Sequence, residues 1–121
     1  MPTSPTQRTL KRIRDAGATA AVAEYWLRVP NHPGGGVRRD LFGFIDVVAL
    51  WPGEGTIGIQ ATSGSNGRAR VRKIATECRD NALAWLAQGN RIQVWDWRKL
   101  KGKWEPRIVE VTVDLIEAEI D

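Results

Sequence analysis

The sequence predicts one α/β domain of the α+β type, with a central mixed β-sheet flanked by helices. Its 121 residues are enough for a single hydrophobic core, and 42% hydrophobic with 26% charged residues is an ordinary globular composition. Short segments rich in β-branched and aromatic residues end at glycine- or proline-containing turns, which favours strands. Two basic segments space their apolar residues as helices do, which predicts helices packed on that sheet.

The first half of the chain is expected to supply one helix and the centre of the sheet. Gly17 provides a stop for the helix. The segment 18–29 is ambiguous, because its alanines permit a helix while Val22, Tyr25 and Trp26 favour a strand. In order, we expect a loose arm over 1–5, a helix from Thr6 or Thr9 to about Ala16, the ambiguous segment 18–29, a loop over 30–36 and a central strand over 41–51.

The second half is expected to complete the sheet and to cover it with a long helix. Gly89 closes that helix. In order, we expect a turn at 53–55, a strand over 56–62 that forms a hairpin with the central strand, a helix over 68–87, a strand over 91–97, a basic loop over 98–104, a last strand over 107–113 and an acidic tail over 114–121.

Positive charge is concentrated in residues 1–107. They contain 18 lysines and arginines against nine acids, a net charge of +9, whereas residues 108–121 contain five acids and no base. A basic body predicts a polyanion-binding face, with the acidic tail held away from it or competing with it. A basic solvated surface without a partner is the alternative that charge alone leaves open.

Single residues exclude several classes of protein. One cysteine, Cys78, excludes an internal disulfide, and one histidine, His32, excludes a multi-histidine zinc site within one chain. The apolar run 41–51 is shorter than the about 20 residues that a membrane span needs. No apolar signal segment follows Met1. We therefore expect an intracellular, cytoplasmic protein without a membrane partner.

Asp46 is a charged residue inside an apolar segment, where a carboxylate must be paired or must bind a cation. Because side chains alternate along a strand, Gln60 and Thr62 share one face, and a short hairpin would bring them close to Asp46. Asp40 shares the face of Asp46 if the strand begins early enough. Oxygen ligands of this kind suit Mg²⁺ or Mn²⁺, so Asp46, Gln60 and Asp40 are the predicted metal ligands.

Two plainer interpretations of these residues stay open. Asp46 could pair with an arginine such as Arg38 or Arg39 instead of a metal. Gln60 and Thr62 could form an exposed strand face.

The order of these features resembles the PD-(D/E)XK nuclease superfamily, with small Holliday-junction resolvases and related phage nucleases as the most similar members. The resemblance spans about residues 10–97: an aspartate strand, a hairpin, an acid-X-lysine-like triplet, a basic helix and a further strand. It implies a restriction-endonuclease-like αβββαβ core. It also implies that Asp46 is the metal-binding aspartate, and it aligns Gln60 with the second acid, Thr62 with the lysine and Glu24 with the upstream glutamate.

Two residues depart from the family pattern. Gln60 is neutral and removes one negative charge, and Thr62 cannot carry the positive charge of the lysine. A cation could come from the predicted helix 68–87. Arg72 lies on the flank of its apolar stripe and is the predicted substitute, whereas Lys73 is expected opposite that stripe, facing solvent or DNA.

Basic and aromatic residues are the candidates for contacts with DNA. Trp26, Trp51 and Trp85 are expected in the core, while Trp95 and Trp97 border the basic loop 98–104. That loop, with Trp104 at its end, could hold phosphates and stack on an unpaired base, or could be a solvated hairpin with one packed ring. The leading phosphate contacts are Arg38, Arg39, Arg68, Arg70, Arg72 and Lys73.

The resulting hypothesis is a metal-dependent endonuclease for branched or otherwise structured DNA, with a phage origin implied by the resemblance. Its predicted catalytic residues are Asp46, Gln60, Thr62, Glu24 and Arg72. The alternative, favoured by Thr62, is a nuclease-fold protein that only binds nucleic acid. A homodimer is expected because one chain supplies one such site, with an interface around Trp26, Trp51 or Trp104.

Overall fold

The computed structural model describes residues 3–119, and the predicted fold class is confirmed. Within these residues, four helices accompany a five-stranded mixed sheet and a separate two-stranded sheet. No helix in this range has both the length and the apolar character needed to cross a membrane. In chain order the elements are α1 (Pro5–Asp15), β1 (Thr19–Val22), β2 (Tyr25–Arg28), β3 (Gly36–Arg39), β4 (Val47–Trp51), β5 (Gly55–Ser63), α2 (Gly67–Thr76), α3 (Arg79–Ala87), β6 (Arg91–Leu100), β7 (Lys103–Val111) and α4 (Val113–Ala118).

The large sheet has the order β1-β4-β5-β6-β7. Only its β5–β6 pair is parallel, since α2 and α3 carry the chain from one strand to the next. The carboxyl ends of β5 and β6 therefore lie at the same edge of the sheet, beside the beginning of the antiparallel strand β4.

Each face of the sheet has its own hydrophobic core. On one face, α1 packs through Leu10 and Ile13 against residues such as Ile59 and Trp95. On the other, α2, α3 and α4 pack over Ile92 and Val94. Alternation along β5 directs Gln60 and Thr62 to this second face, together with Val94 of the neighbouring strand.

Helix α1 begins earlier than the sequence predicted. The Ser4 hydroxyl caps it by accepting the Gln7 backbone N–H at 3.1 Å, and Pro5 occupies the first turn. Ser4 and Pro5 thus belong to the helix and not to a loose arm, while residues 1 and 2 lie outside the described part. Thr9, predicted as a possible cap, is buried within the helix and accepts a hydrogen bond from the Trp97 indole at 2.9 Å.

The predicted central strand 41–51 is wrong over its first half. Phe42 and Gly43 have positive φ values of 56° and 88°, so the chain turns tightly and Leu41 pairs with Ile45. Strand β4 begins only at Val47, and Asp46 directly precedes it.

The predicted helix 68–87 is divided into α2 and α3. Cys78 separates them: its φ of −107° and ψ of 17° interrupt the helix, and its thiol lies 3.6 Å from the Gly43 carbonyl. The Asn81 side chain donates to the Phe42 carbonyl at 3.1 Å. The break between α2 and α3 thus coincides with contacts to the 42–43 turn. No glycine or proline in the predicted helix 68–87 indicates it in the sequence.

One further prediction for the second half was wrong, and another was incomplete. The basic loop 98–104 is a tight hairpin, in which Lys101 and Gly102 have φ values of 50° and 79° and join β6 to β7. The acidic tail begins as helix α4, capped by Thr112, with Ile116 fully buried against α2 and α3. Residues 120 and 121 of that tail lie outside the described residues.

The ambiguous segment 18–29 forms strands and no helix. Its second strand, β2, pairs with β3, which begins at the last residue of the predicted loop 30–36, and residues 25–39 are here called the β2–β3 hairpin. Strand β1 joins the large sheet, whereas β2 pairs only with β3 among the described residues. Trp26 lies in this hairpin and exposes 59% of its surface, so its predicted place in the core is wrong.

Candidate metal centre

Three carboxylates, those of Glu24, Asp40 and Asp46, converge at the start of β4. One oxygen from each lies within 4.8 Å of the other two. Glu24 immediately precedes β2 and Asp40 immediately follows β3, so both ends of the β2–β3 hairpin contribute an acid. The group, here called the acidic cluster, could hold a metal ion.

Asp46 is the buried member of the acidic cluster, with 5% of its surface exposed. Its Oδ2 accepts hydrogen bonds from Gln60 Nε2 at 2.9 Å and from the Ala61 backbone N–H at 2.8 Å. Its own backbone N–H donates to the Ile59 carbonyl at 2.8 Å, which fixes the residue against β5. Neither Arg38 nor Arg39 is bonded to it, so the arginine-pairing interpretation of Asp46 is wrong.

Gln60 completes the site from the neighbouring strand. It is 3% exposed, and its Nε2 also lies 3.4 Å from Asp40 Oδ2. Its Oε1 is buried and has no hydrogen-bond partner among the described residues. A buried carbonyl oxygen without a donor is an available ligand for a cation. Thr62 is 6% exposed, so an exposed strand face at Gln60 and Thr62 is excluded.

The surroundings of Asp46 disfavour its charged form. The pKa of Asp46 is raised from the ordinary 3.8 to about 7. Burial is the largest cause, and a hydrogen bond with Asp40 and the negative charge of Asp40 act in the same direction, whereas the hydrogen bonds from the Ala61 N–H and Gln60 oppose the rise. A divalent cation would relieve this repulsion among hard oxygen ligands. The donor set therefore fits Mg²⁺, Mn²⁺ or Ca²⁺ better than a soft metal.

The raised pKa predicts how the stability of the metal-free protein depends on pH. Between pH 3.8 and about 7 the folded state retains a proton on Asp46 that the unfolded state has lost. The free energy of unfolding should therefore fall by about 4 kcal/mol as pH rises through this window. Urea unfolding in EDTA at pH 5 and pH 8 covers the upper part of this window and should show about 3 kcal/mol of the decline.

Asp46→Asn is the matched variant for this measurement, because an amide oxygen can still accept the Ala61 N–H. It should flatten the decline and make the metal-free protein more stable than the wild type at pH 8. An equally steep decline in this variant would show that another group causes the pH dependence.

The cation nearest the acidic cluster comes from β3 and not from the helix. Arg38 Nη1 lies 3.4 Å from Glu24 Oε2, with 74% of the arginine side chain exposed. Arg72 is exposed on α2, and its side chain has no hydrogen bond or ion pair within residues 3–119. Lys73, predicted to face solvent, is half-buried and close enough to Cys78 to lower the pKa of that thiol against the larger opposing effect of burial.

The other predicted phosphate contacts form two groups. Arg39 is exposed on β3, next to Asp40. Arg68 is exposed in the first turn of α2, and Arg70 is half-buried there with an Nε that lacks a partner among the described residues. Among these arginines, Arg38 is the one that contacts the acidic cluster, through Glu24, and Arg39 is adjacent to Asp40 in sequence.

Asp96 is a buried acid that the sequence reasoning missed. It is 5% exposed on β6, in register with Thr62 of β5, and its Oδ2 accepts the Gly67 N–H at 3.1 Å at the start of α2. A Cβ on Gly67 would come within 3.0 Å of Asp96, so a glycine allows this approach. The sequence did contain a signal: Asp96 is the only acid in β6, and it lies between Trp95 and Trp97.

The tryptophans beside the basic hairpin are structural. Trp95 and Trp97 are 2% and 3% exposed and pack under α1, so neither can stack on a base from solvent. Trp104 is 37% exposed, and the Arg8 guanidinium lies over its ring, 4.1 Å from the ring centroid. This matches the solvated hairpin with one packed ring.

Comparisons with protein-family models, with curated proteins and with solved structures give no match for this chain.

Proposed function

We propose that this protein is a DNA endonuclease of the PD-(D/E)XK type that depends on Mg²⁺ or Mn²⁺. One observation carries the proposal: the carboxylates of Glu24, Asp40 and Asp46 converge within 4.8 Å, beside the amide oxygen of Gln60, which has no hydrogen-bond partner in residues 3–119. Such a set of oxygen ligands, with a buried aspartate at the beginning of a central strand, suits a hard divalent cation.

Each residue of the site has a separate role in the proposal. Asp46, Asp40 and Gln60 would hold the ion, with Glu24 as a further ligand or as a base for water. When bound, the ion supplies Lewis-acid stabilisation of a phosphate oxygen and lowers the pKa of water. Arg38, at the edge of the acidic cluster, replaces Arg72 as the candidate for neutralising charge on the phosphate.

Incubation with DNA tests the proposal directly. Pure protein is mixed with branched, fully paired and single-stranded DNA in Mg²⁺, Mn²⁺ or EDTA. We expect cleavage in either metal and none in EDTA, with branched DNA preferred. Intact DNA under every condition, with binding retained, would exclude catalysis.

The alternative function is that of a nuclease-fold protein that binds nucleic acid without cutting it. Thr62 favours it, because no lysine or arginine side chain is bonded to Asp46 in the described part of the chain. In that case the same incubation would give complexes whose DNA stays intact in both metals.

DNA binding is expected to depend strongly on salt, because phosphate contacts release counterions. Arg39→Gln and Arg68→Gln should each weaken binding uniformly across sequences and reduce the slope of log affinity against log salt by about 1. Anisotropy titrations of a labelled duplex in EDTA, at several salt concentrations, measure the slope.

Arg14→Gln is the matched control for the salt titrations. Arg14 is an exposed arginine on α1, which packs on the face of the sheet opposite to α2 and Arg68. Its side chain donates to the Ala20 carbonyl at 2.9 Å. Its substitution should leave the slope unchanged. A wild-type affinity that does not vary with salt would contradict the phosphate-binding interpretation.

Two further parts of the proposal concern assembly and location. Two copies are expected to pair, because one chain carries one acidic cluster and a symmetric cut at a junction needs two. A reducing, cytoplasmic location is proposed because Cys78 has no second cysteine within the chain for a disulfide.

A further inference from the structure

The β2–β3 hairpin has features that metal chemistry alone does not explain. Its strands form a sheet of their own and do not extend the five-stranded sheet. All four residues of β2 are exposed, and Trp26 leaves 59% of its surface in water. A large aromatic side chain exposed on a small separate element indicates a contact surface.

The ring of Trp26 lies against its own hairpin. A Cβ on Gly36 would come within 2.8 Å of two atoms of the indole and within 2.4 Å of the Leu27 carbonyl oxygen. Only a glycine at this position lets the ring and the strand approach so closely. A ring supported in this way loses little conformational freedom when a partner stacks on it.

The charge of the hairpin indicates the kind of partner. Residues 25–39 contain three arginines and one histidine but no acid. Trp26 is the register partner of Arg38, so the two side chains share one face, and Arg28 falls on that face by alternation. An exposed ring that shares its face with two arginines suits a nucleic acid, whose base can stack while its phosphates are neutralised.

The hairpin is also attached to the acidic cluster at both ends. Glu24 precedes β2 and Asp40 follows β3. Trp26 is two residues from Glu24, roughly 7 Å along an extended strand. A nucleotide next to a phosphate at the cluster would therefore lie beside this ring.

We propose that Trp26 stacks on an unpaired base adjacent to the scissile phosphate, with Arg38 beside that phosphate and Arg28 holding a flanking one. The inference rests on the proposed endonuclease function and narrows its substrate class. The substrate is DNA with at least one unpaired or opened base beside the cut. A fully paired duplex keeps its bases stacked on one another and offers the ring no partner.

Two labelled DNAs of equal length test this inference in EDTA, one fully paired and one with a single unpaired 2-aminopurine. Wild-type protein should bind the second about 10-fold or more tightly than the first, because base stacking on an aromatic ring is of that strength. It should also quench the 2-aminopurine fluorescence. Trp26→Ala should lose both effects, and Trp26→Phe should retain most of each.

Trp104→Ala is the matched control, since it removes another partly exposed tryptophan that lies under Arg8. It should keep the preference and the quenching. Circular dichroism and thermal melting check that each variant is folded, which is expected for Trp26 because it lies outside both hydrophobic cores.

The outcomes separate this inference from the function on which it rests. Equal binding of both DNAs by wild type and Trp26→Ala, with cleavage retained in Mg²⁺, would overturn the stacking role alone. No binding of either DNA by wild type would overturn both proposals. If Trp26→Ala keeps its DNA affinity but changes from dimer to monomer in light scattering, the ring is a protein interface and the stacking proposal is wrong.

Discussion

Asp46→Asn is expected to lower the rate of DNA cleavage by about 1000-fold or more, because the ion would lose its buried charged ligand and with it several kcal/mol of stabilisation. The fold should persist, since the amide oxygen can accept the Ala61 N–H that Oδ2 now accepts at 2.8 Å. Affinity for DNA in EDTA should also persist. Single-turnover cleavage in Mg²⁺ and anisotropy in EDTA measure the two quantities.

Asp15→Asn is the matched control for the cleavage assay. Asp15 is an exposed aspartate at the end of α1, paired with Lys11 at 2.8 Å, on the other face of the sheet. This variant should cleave at the wild-type rate. If Asp46→Asn also cleaves at that rate, the acidic cluster is not the catalytic centre.

Gln60→Glu is expected to tighten binding of Mg²⁺ or Mn²⁺ by about 10-fold or more, since a unit charge a few ångströms from a divalent ion contributes several kcal/mol even at moderate screening. In the metal-free protein, the same substitution should be destabilising. The glutamate would replace the donor that now bonds Asp46 at 2.9 Å with a fourth negative charge. The variant should therefore melt at a lower temperature than wild type in EDTA and gain more from added metal.

Titration calorimetry and melting curves with and without metal measure both effects of Gln60→Glu. Gln7→Glu makes the same chemical change in the exposed first turn of α1, where a glutamate can favour the helix, and should leave the metal affinity and the gain in melting temperature from added metal unchanged. A glutamate at position 60 that leaves the metal affinity unchanged would remove Gln60 from the ligand set.

The pairing of Asp46 with Gln60 was predictable because it depends on a local rule. Side chains alternate along β5, and the β4–β5 turn is short, so the two residues had to meet on one face. Asp40 was named as well, but for the wrong reason. It was expected on an early extension of the central strand, whereas it reaches the cluster from the far end of a separate hairpin.

Features that depend on packing between distant segments could not be predicted in the same way. The break between α2 and α3 coincides with contacts of Cys78 and Asn81 to the 42–43 turn, which lies about three dozen residues earlier. The helical spacing of apolar residues continues across the break and gives no signal. Arg72 was preferred to Lys73 from helix geometry, which gives a direction but not the distance to another strand, so the contact of Arg38 with the acidic cluster was not predicted.

The attachment of the β2–β3 hairpin has a consequence for how this molecule would select its substrate. Glu24 and Asp40 belong to the two ends of the hairpin, and Asp46 belongs to the main sheet. One ion bound by these three carboxylates would connect the hairpin to the main sheet and fix the orientation of one relative to the other. Cation and nucleic acid would then be thermodynamic effectors of each other, each tightening the other by the same factor. The free concentration of the cation would then adjust the affinity for DNA as well as the speed of the reaction.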